Sequence, residues 1–253
     1  MLDKWQKKEK PMFTMLGLGG GNSSNSLGVA IGDPLTASGG TTNDYTENCN
    51  PYRSHTFLAP GQSFNVTALG TGIIGDKIDC LVVGGGGGGV HNWDGRGGAG
   101  GMRVFTDVPV TTGNYAVTVG SGGVGDPYPG PNGVGGSKGG PSTLALSAPF
   151  GPIVGEGGGG GGSYPGNAGA AGGSGGGGAG HGGPGGPGAT NASPDGNSPT
   201  VQGNAGGTGG GGPIGSAGGG GAGAAGGNSS GDAGTPGGDV LPNTFRTGSP
   251  VFY

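Results

Sequence analysis

The sequence predicts a mainly β protein with little or no α-helix, in which a small antiparallel β-sandwich is followed by packed polyglycine-II helices. Glycine accounts for 77 of the 253 residues, and only 29% of residues are hydrophobic. Short stretches of alternating polar and apolar residues lie in the first half, and none shows sustained helical periodicity. Beyond residue 125, glycine recurs at every third position over long runs, which is the period of a polyproline-II helix.

Residues 29–124 carry the strand-like stretches and are assigned to the β-sandwich. Phe64 and Val66 alternate with polar neighbours, and Tyr115 and Val117 do the same. This period of two is typical of half-buried strands, and short strands between Pro, Gly and Asn turns are typical of sandwiches. The predicted strands are Tyr52–Leu58, Gln62–Leu69, Lys77–Val83, Met102–Val110 and Asn114–Val119.

Residues 125–253 are assigned to the glycine helices. The longest series in steps of three runs from Gly203 to Gly221. A polyproline-II helix has no internal hydrogen bonds, so its backbone must pair with neighbours, and glycine lets those neighbours approach closely. A flexible Gly/Ser linker and a collagen-like trimer are the alternatives. A linker needs no fixed period, and turn-like breaks such as Asn191–Pro199 argue against collagen. In this arrangement, valine at Gly212 should disrupt packing more than valine at Ser216, which lies in another phase.

Residues 1–28 form a separate N-terminal segment that is basic, then apolar, then glycine-rich. The apolar part is too short to span a bilayer, and its glycines argue against a secretory signal. Two interpretations remain open, a disordered tail and a virion-docking peptide that becomes ordered against a partner. The docking interpretation has as its anchors Trp5, Met12, Phe13, Met15 and Leu16.

Composition argues against several functions. Charged residues make up 9% of the chain and the net charge is −4, which does not favour nucleic-acid binding. The three histidines are far apart without metal-ligand spacing. Gly84–Gly89 is not followed by the Lys-Ser/Thr of a phosphate-binding loop, and no catalytic triad pattern stands out. We therefore expect no enzyme activity, no cofactor and no metal.

Side chains suited to recognition are concentrated in the breaks between glycine runs. The loops His91–Arg96, Asp126–Asn132 and Asn191–Pro199 are rich in small polar residues, and the first two also carry the aromatic rings of Trp93 and Tyr128, as adaptable binding loops do. We expect Tyr164 and Phe150 instead to cover helix ends or subunit contacts. The candidate receptor-binding residues are His91, Asn92, Trp93, Asp94, Arg96, Tyr128, Asn191, Asp195 and Asn197.

The sequence resembles virion proteins of tailed bacteriophages. Residues 7–21, KKEKPMFTMLGLGGG, resemble the N-terminal stretch of many marine phage structural proteins. Residues 44–90, which end in DKIDCLVVGGGGGGV, and residues 97–125, which include MRVFTDVPVTTGNYAVTV, are similar to the glycine-rich domain of phage fibre proteins. The later glycine helices are similar in architecture, but not in alignable sequence, to T-even-like adhesins that bind the host through loops at the ends of packed polyglycine-II helices.

This resemblance implies a virion-surface protein, made in the bacterial host cytoplasm and then exposed outside the cell. The leading function is a tail-fibre or appendage component that acts as a host-receptor-binding tip. A capsid-decorating protein without a receptor and a bacterial extracellular matrix protein are the alternatives. Implied partners are other virion proteins, further copies of the chain as in a trimer, and a host surface glycan or outer-membrane protein. Cytoplasmic synthesis disfavours a disulfide, so we expect Cys49 and Cys80 to be reduced.

Overall fold

The computed structural model describes the residues in ranges 33–47, 50–71, 75–91, 94–126, 134–148, 150–189 and 202–253. They belong to a compact unit that extends from Gly32 to Tyr253. These ranges contain strands and turns but no helix, so the protein is mainly β, as predicted. None of them contains an apolar helix of membrane-spanning length.

The strands are short and all of their pairings are antiparallel. They are β1 (Thr36–Ser38), β2 (Thr41–Glu47), β3 (Asn50–Thr56), β4 (Gln62–Ala68), β5 (Lys77–Val83), β6 (Met102–Pro109), β7 (Gly113–Thr118), β8 (Ser142–Leu144), β9 (Ile153–Gly155), β10 (Pro242–Asn243) and β11 (Val251–Phe252). The main sheet has the order β1-β4-β7-β8-β9, and the other strands pair as β2-β3, β5-β6 and β10-β11. The five predicted strands correspond to β3 through β7, with small shifts at their ends.

One apolar cluster takes side chains from both the main sheet and the β5-β6 pair. The alternation in β4 turns Phe64 and Val66 inward, and both are buried. Phe105 and Val108 of β6 are buried in the same cluster, and Ile153 of β9 has 0% exposure. The two sheets therefore share one core, while the sandwich arrangement stays a prediction.

Two further residues border this core. The ring of Phe150 packs edge-on against Phe105 with centroids 5.7 Å apart, so it covers the apolar core rather than a helix end. Cys80 of β5 is a free thiol, and burial raises its pKa to about 12. Because the thiolate is the reactive form, this thiol is inert at neutral pH. Cys49 lies outside the described residues.

The first strands and the end of the chain meet at the β2-β3 hairpin. Tyr45 and Tyr52 stack across the hairpin with ring centroids 5.5 Å apart. On the same face, the Ser54 hydroxyl and the Asn43 amide both donate to the backbone carbonyl of Arg246, at 2.8 and 3.3 Å. The C-terminal segment therefore closes over the hairpin by hydrogen bonds between residues distant in sequence.

Extended glycine-rich segments leave the sheets and return to them, and they pair with one another through backbone hydrogen bonds. We call them together the glycine slab: residues 84–90, 94–101, 119–126, 134–141, 156–163, 167–173, 174–180, 183–189, 202–210, 215–221, 225–230 and 233–240. Strands β8 and β9 follow residue 125, and the first segments precede it. Sheet and slab therefore alternate along the chain.

The hydrogen bonds of the slab step by three residues. The N–H groups of Gly95 and Gly98 donate to carbonyls of segment 156–163, at 2.7 and 2.8 Å. The backbone N–H groups of the residues that follow them, Arg96 and Ala99, donate to carbonyls of a different segment, 215–221, at 3.2 and 2.9 Å. Each segment can therefore pair with several neighbours in different directions, whereas a strand in a flat sheet pairs with two at most.

The glycine run Gly84–Gly89 follows the same period. A Cβ built on Gly86 or Gly89 would have no described atom closer than 4.0 Å. A Cβ on any of the other four would overlap a backbone carbonyl of a neighbouring segment. The absence of a side chain is thus required at two positions in three, because neighbouring backbones occupy that space.

The turns between segments lie at two ends of the slab. At one end, beside β5 and β6, the backbone N–H of Gly84 donates to the carbonyl of Gly101. At the other end, which we call the distal end, the backbone N–H of Asp126 donates to the carbonyl of Gly89. The segments flanking residues 190–201 end beside the strands, because the Gln202 carbonyl accepts from the first residue of β6 at 2.9 Å. Two of the three predicted recognition loops therefore begin at the distal end, and the third, Asn191–Pro199, lies outside the described residues.

Candidate functional site

Polar side chains from separate turns meet at the distal end. Segments 84–90 and 119–126 run parallel, which brings Nδ1 of His91 to 3.5 Å from a carboxylate oxygen of Asp126. Asp94 opens the next segment and lies beside them. The two loops predicted separately from the sequence therefore contribute to one site. We call this site the distal cluster: His91, Asp94, Arg96, Asp126, Tyr164 and His181.

Asp94 is the buried carboxylate of this cluster, with 8% exposure. Its Oδ1 accepts a hydrogen bond from the backbone N–H of Tyr164. Burial raises the pKa of Asp94, and the negative charge of Asp126 raises it further. The Tyr164 N–H and the nearby His91 act in the opposite direction, but the pKa remains above its ordinary value.

Tyr164 and His181 extend the cluster on the side of Asp94. The Tyr164 hydroxyl and Nε2 of His181 are 3.2 Å apart, and the two rings meet edge-on with centroids 5.1 Å apart. His181 has φ of 67°, in the left-handed region that costs a non-glycine residue energy. Tyr164 lies at a segment end, as expected. Sequence reasoning missed His181, although its position directly after the glycine run ending at Gly180 marks a segment end.

A cavity of about 370 Å³ opens beside the cluster and is lined by Gly89, Val90, Asp94, Arg96 and Ser216. The Arg96 guanidinium is exposed and makes no hydrogen bond or ion pair with any described residue. The Oδ2 of Asp94 likewise has no hydrogen-bond partner among the described residues. Asp94 and Arg96 thus line one cavity without forming an ion pair with each other.

The remaining candidate residues cannot be placed in this site. Within the described ranges, no group of three His, Cys, Asp or Glu residues is arranged to hold a metal ion. Outside those ranges lie the receptor-binding candidates Asn92, Trp93, Tyr128, Asn191, Asp195 and Asn197 and the docking candidates Trp5, Met12, Phe13, Met15 and Leu16.

The raised pKa of Asp94 predicts a specific pH dependence of stability. The folded state holds this proton more tightly than the unfolded chain, whose pKa is near 3.8. The free energy of unfolding should therefore decrease as pH rises from about 3.8 through the folded pKa, and level off above it. In Asp94→Asn this decrease should be absent. Chemical denaturation of both proteins between pH 3 and 7 measures the difference.

Asp44 provides a control whose contribution to the pH dependence of stability has the opposite sign. It is an exposed carboxylate of β2 whose pKa is lowered, chiefly by its hydrogen bond from Arg53. A lowered pKa stabilises the fold above the unfolded pKa, and that stabilisation is lost as pH falls through the folded value. Asp44→Asn should therefore change the pH profile slightly and in the reverse direction. Parallel profiles of wild type and Asp94→Asn would contradict the prediction.

A sequence model described as a glycine-rich domain matches residues 59–250. The matched range contains β4 through β10, the glycine slab and the distal cluster. No curated protein and no solved structure matches the chain.

Proposed function

The chain belongs to the glycine-rich domain family, and we propose, from the resemblance of residues 7–21, 44–90 and 97–125 to phage virion proteins, that it is a non-enzymatic structural protein of a bacteriophage virion. In this proposal it is a tail-fibre or appendage component on the particle surface, and residues 1–28 attach it to other virion proteins. The slab carries the distal cluster outward, where it contacts a host surface glycan or outer-membrane protein. The observation that carries the proposal is the position of this polar cluster at the end of a body built mostly from backbone contacts.

The slab is proposed to consist of packed polyglycine-II helices. Two features support this: hydrogen-bond partners that change with a period of three residues, and glycines that exclude a Cβ with the same period. A polyproline-II-type helix has three residues per turn and needs neighbours for its hydrogen bonds. Such packing orders a chain that has few apolar side chains, and it suits a rigid appendage.

Labelling of intact particles tests the proposed location. Gold-conjugated antibody against the slab should decorate tail fibres or other appendages when particles that contain this chain are viewed by electron microscopy. Label distributed over the head would contradict the proposal and favour a capsid-decorating protein. A chain lacking residues 1–28 should fold but no longer incorporate. Normal incorporation of that chain would contradict the docking role of the N-terminal segment.

Adsorption to host cells tests the recognition role. The double change Trp93→Ala and Tyr128→Ala removes aromatic rings from the two loops that flank the distal cluster, and buried rings commonly supply much of the binding energy of a contact. Adsorption should fall at least tenfold, while particle yield and melting temperature stay nearly unchanged. Unchanged adsorption with fragile particles would favour decoration, and failed assembly would identify these rings as subunit contacts.

A further inference from the structure

Asp94 and Arg96 present opposite charges to the cavity and leave them unpaired. They lie two residues apart on one segment and both line the cavity. They are not within 4.0 Å of each other as an ion pair. Asp94 as a whole residue is more than nine-tenths buried, but its Oδ2 keeps some accessible surface and has no hydrogen-bond partner among the described residues. A ligand in the cavity can therefore reach this oxygen and supply it with a hydrogen-bond donor.

We propose that the distal cavity binds an uncharged saccharide unit, whose hydroxyl groups donate to Asp94 and whose oxygen atoms accept from Arg96. The inference rests on the proposed recognition function and specifies its ligand class. Gly89, Val90 and Ser216 form the remaining walls.

The charges around the cavity favour a neutral ligand with many hydroxyl groups. An anion would approach the carboxylates of Asp94 and Asp126, and a cation would face the guanidinium of Arg96. A sugar hydroxyl both donates and accepts, so one neutral molecule can satisfy both residues at once. Hydrogen bonds to charged groups are also the stronger kind. The volume of about 370 Å³ lies within the range of small-molecule sites and accommodates one or two sugar rings.

Titration of the full chain with simple sugars tests the proposal. The probes are the methyl glycosides of glucose, galactose and mannose, with maltose and lactose, added at millimolar concentration while backbone amide signals are followed by NMR. We expect at least one sugar to shift the amides of Gly89, Asp94 and Ser216. Asp94→Asn should weaken its binding about tenfold or more, because a charge-assisted hydrogen bond is lost.

Two variants separate binding from folding. Arg96→Ala removes an exposed side chain without partners among the described residues, so the melting temperature should not change while sugar affinity decreases. Asp44→Asn makes the same chemical change as Asp94→Asn at the exposed ion pair with Arg53, and sugar affinity should equal that of the wild type. Absence of shifts with every sugar, or wild-type affinity in both Asp94→Asn and Arg96→Ala, would overturn the proposal. Binding of the zwitterion γ-aminobutyrate in place of any sugar would overturn it as well.

Adsorption assays with the same variants distinguish this inference from the proposed function. If sugars bind but Asp94→Asn particles adsorb normally, the saccharide site stands and the recognition role fails. If adsorption is lost in Asp94→Asn and Arg96→Ala while no sugar binds, the recognition role stands and the ligand class is wrong.

Discussion

Replacing Gly87 with alanine is expected to destabilise the protein by about 3 kcal/mol or more, at the upper end of overpacking substitutions. A Cβ at this position would overlap the carbonyl of Gly159 and lie 2.6 Å from its carbon. Both residues belong to hydrogen-bonded slab segments, so the backbone cannot move away without breaking neighbouring bonds. The free energy of unfolding from chemical denaturation measures the effect.

The adjacent glycine provides a matched control. A Cβ on Gly86 would have no described atom closer than 4.0 Å, and Gly86 is exposed. Gly86→Ala should therefore be neutral or stabilise by up to about 1 kcal/mol, because alanine reduces the conformational entropy of the unfolded chain. Equal effects of alanine at Gly86 and Gly87 would contradict both the three-residue period and the polyglycine-II proposal.

Replacing Ile153 with alanine should cost about 2–5 kcal/mol, the range for deleting a large aliphatic side chain from a core. Ile153 has 0% exposure and lies in the apolar cluster shared by the main sheet and the β5-β6 pair. The change leaves a cavity that the short strands cannot readily fill. Thermal and chemical unfolding measure the loss.

Leu58 is the control for this second prediction. It is an aliphatic residue with 75% exposure, so Leu58→Ala should change the free energy of unfolding by no more than about 0.5 kcal/mol. A similar loss at Ile153 and Leu58 would show that the apolar cluster does not hold the sheets together. The glycine slab should therefore be destabilised when atoms are added, as in Gly87→Ala. The apolar cluster should be destabilised when atoms are removed, as in Ile153→Ala.

Gly212 shows where the glycine period alone misleads. It belongs to the longest series in steps of three, yet it lies in a turn, and a Cβ there would meet the exposed side chain of Asp232. That carboxylate can move aside, whereas Ser216, expected to tolerate change better, is buried at 8% exposure. The contrast between the two positions stays a prediction, but a Cβ on Gly212 would meet a side chain and not a neighbouring backbone, because the available space depends on the neighbouring segment and not on the period.

The sequence by itself determined the local structure of this protein. Alternation in Gln62–Leu69 and Asn114–Val119 predicted β4 and β7, because a strand places successive side chains on opposite faces. The glycine period predicted extended segments that need neighbours for their hydrogen bonds. Only the tertiary structure decided which segments are neighbours, and so which glycines of Gly84–Gly89 must lack a side chain.

The candidate site was also predicted only in part from the sequence. Its loops were predicted because turns are where polar side chains of a glycine-rich chain are free to bind. The cluster of His91, Asp94 and Asp126, and its extension to Tyr164 and His181, depended on the tertiary structure. These contacts join turns that are far apart in sequence. The segments that bring the turns together pair through backbone N–H and C=O groups. Because these groups are the same at every residue, the sequence does not indicate which segments pair.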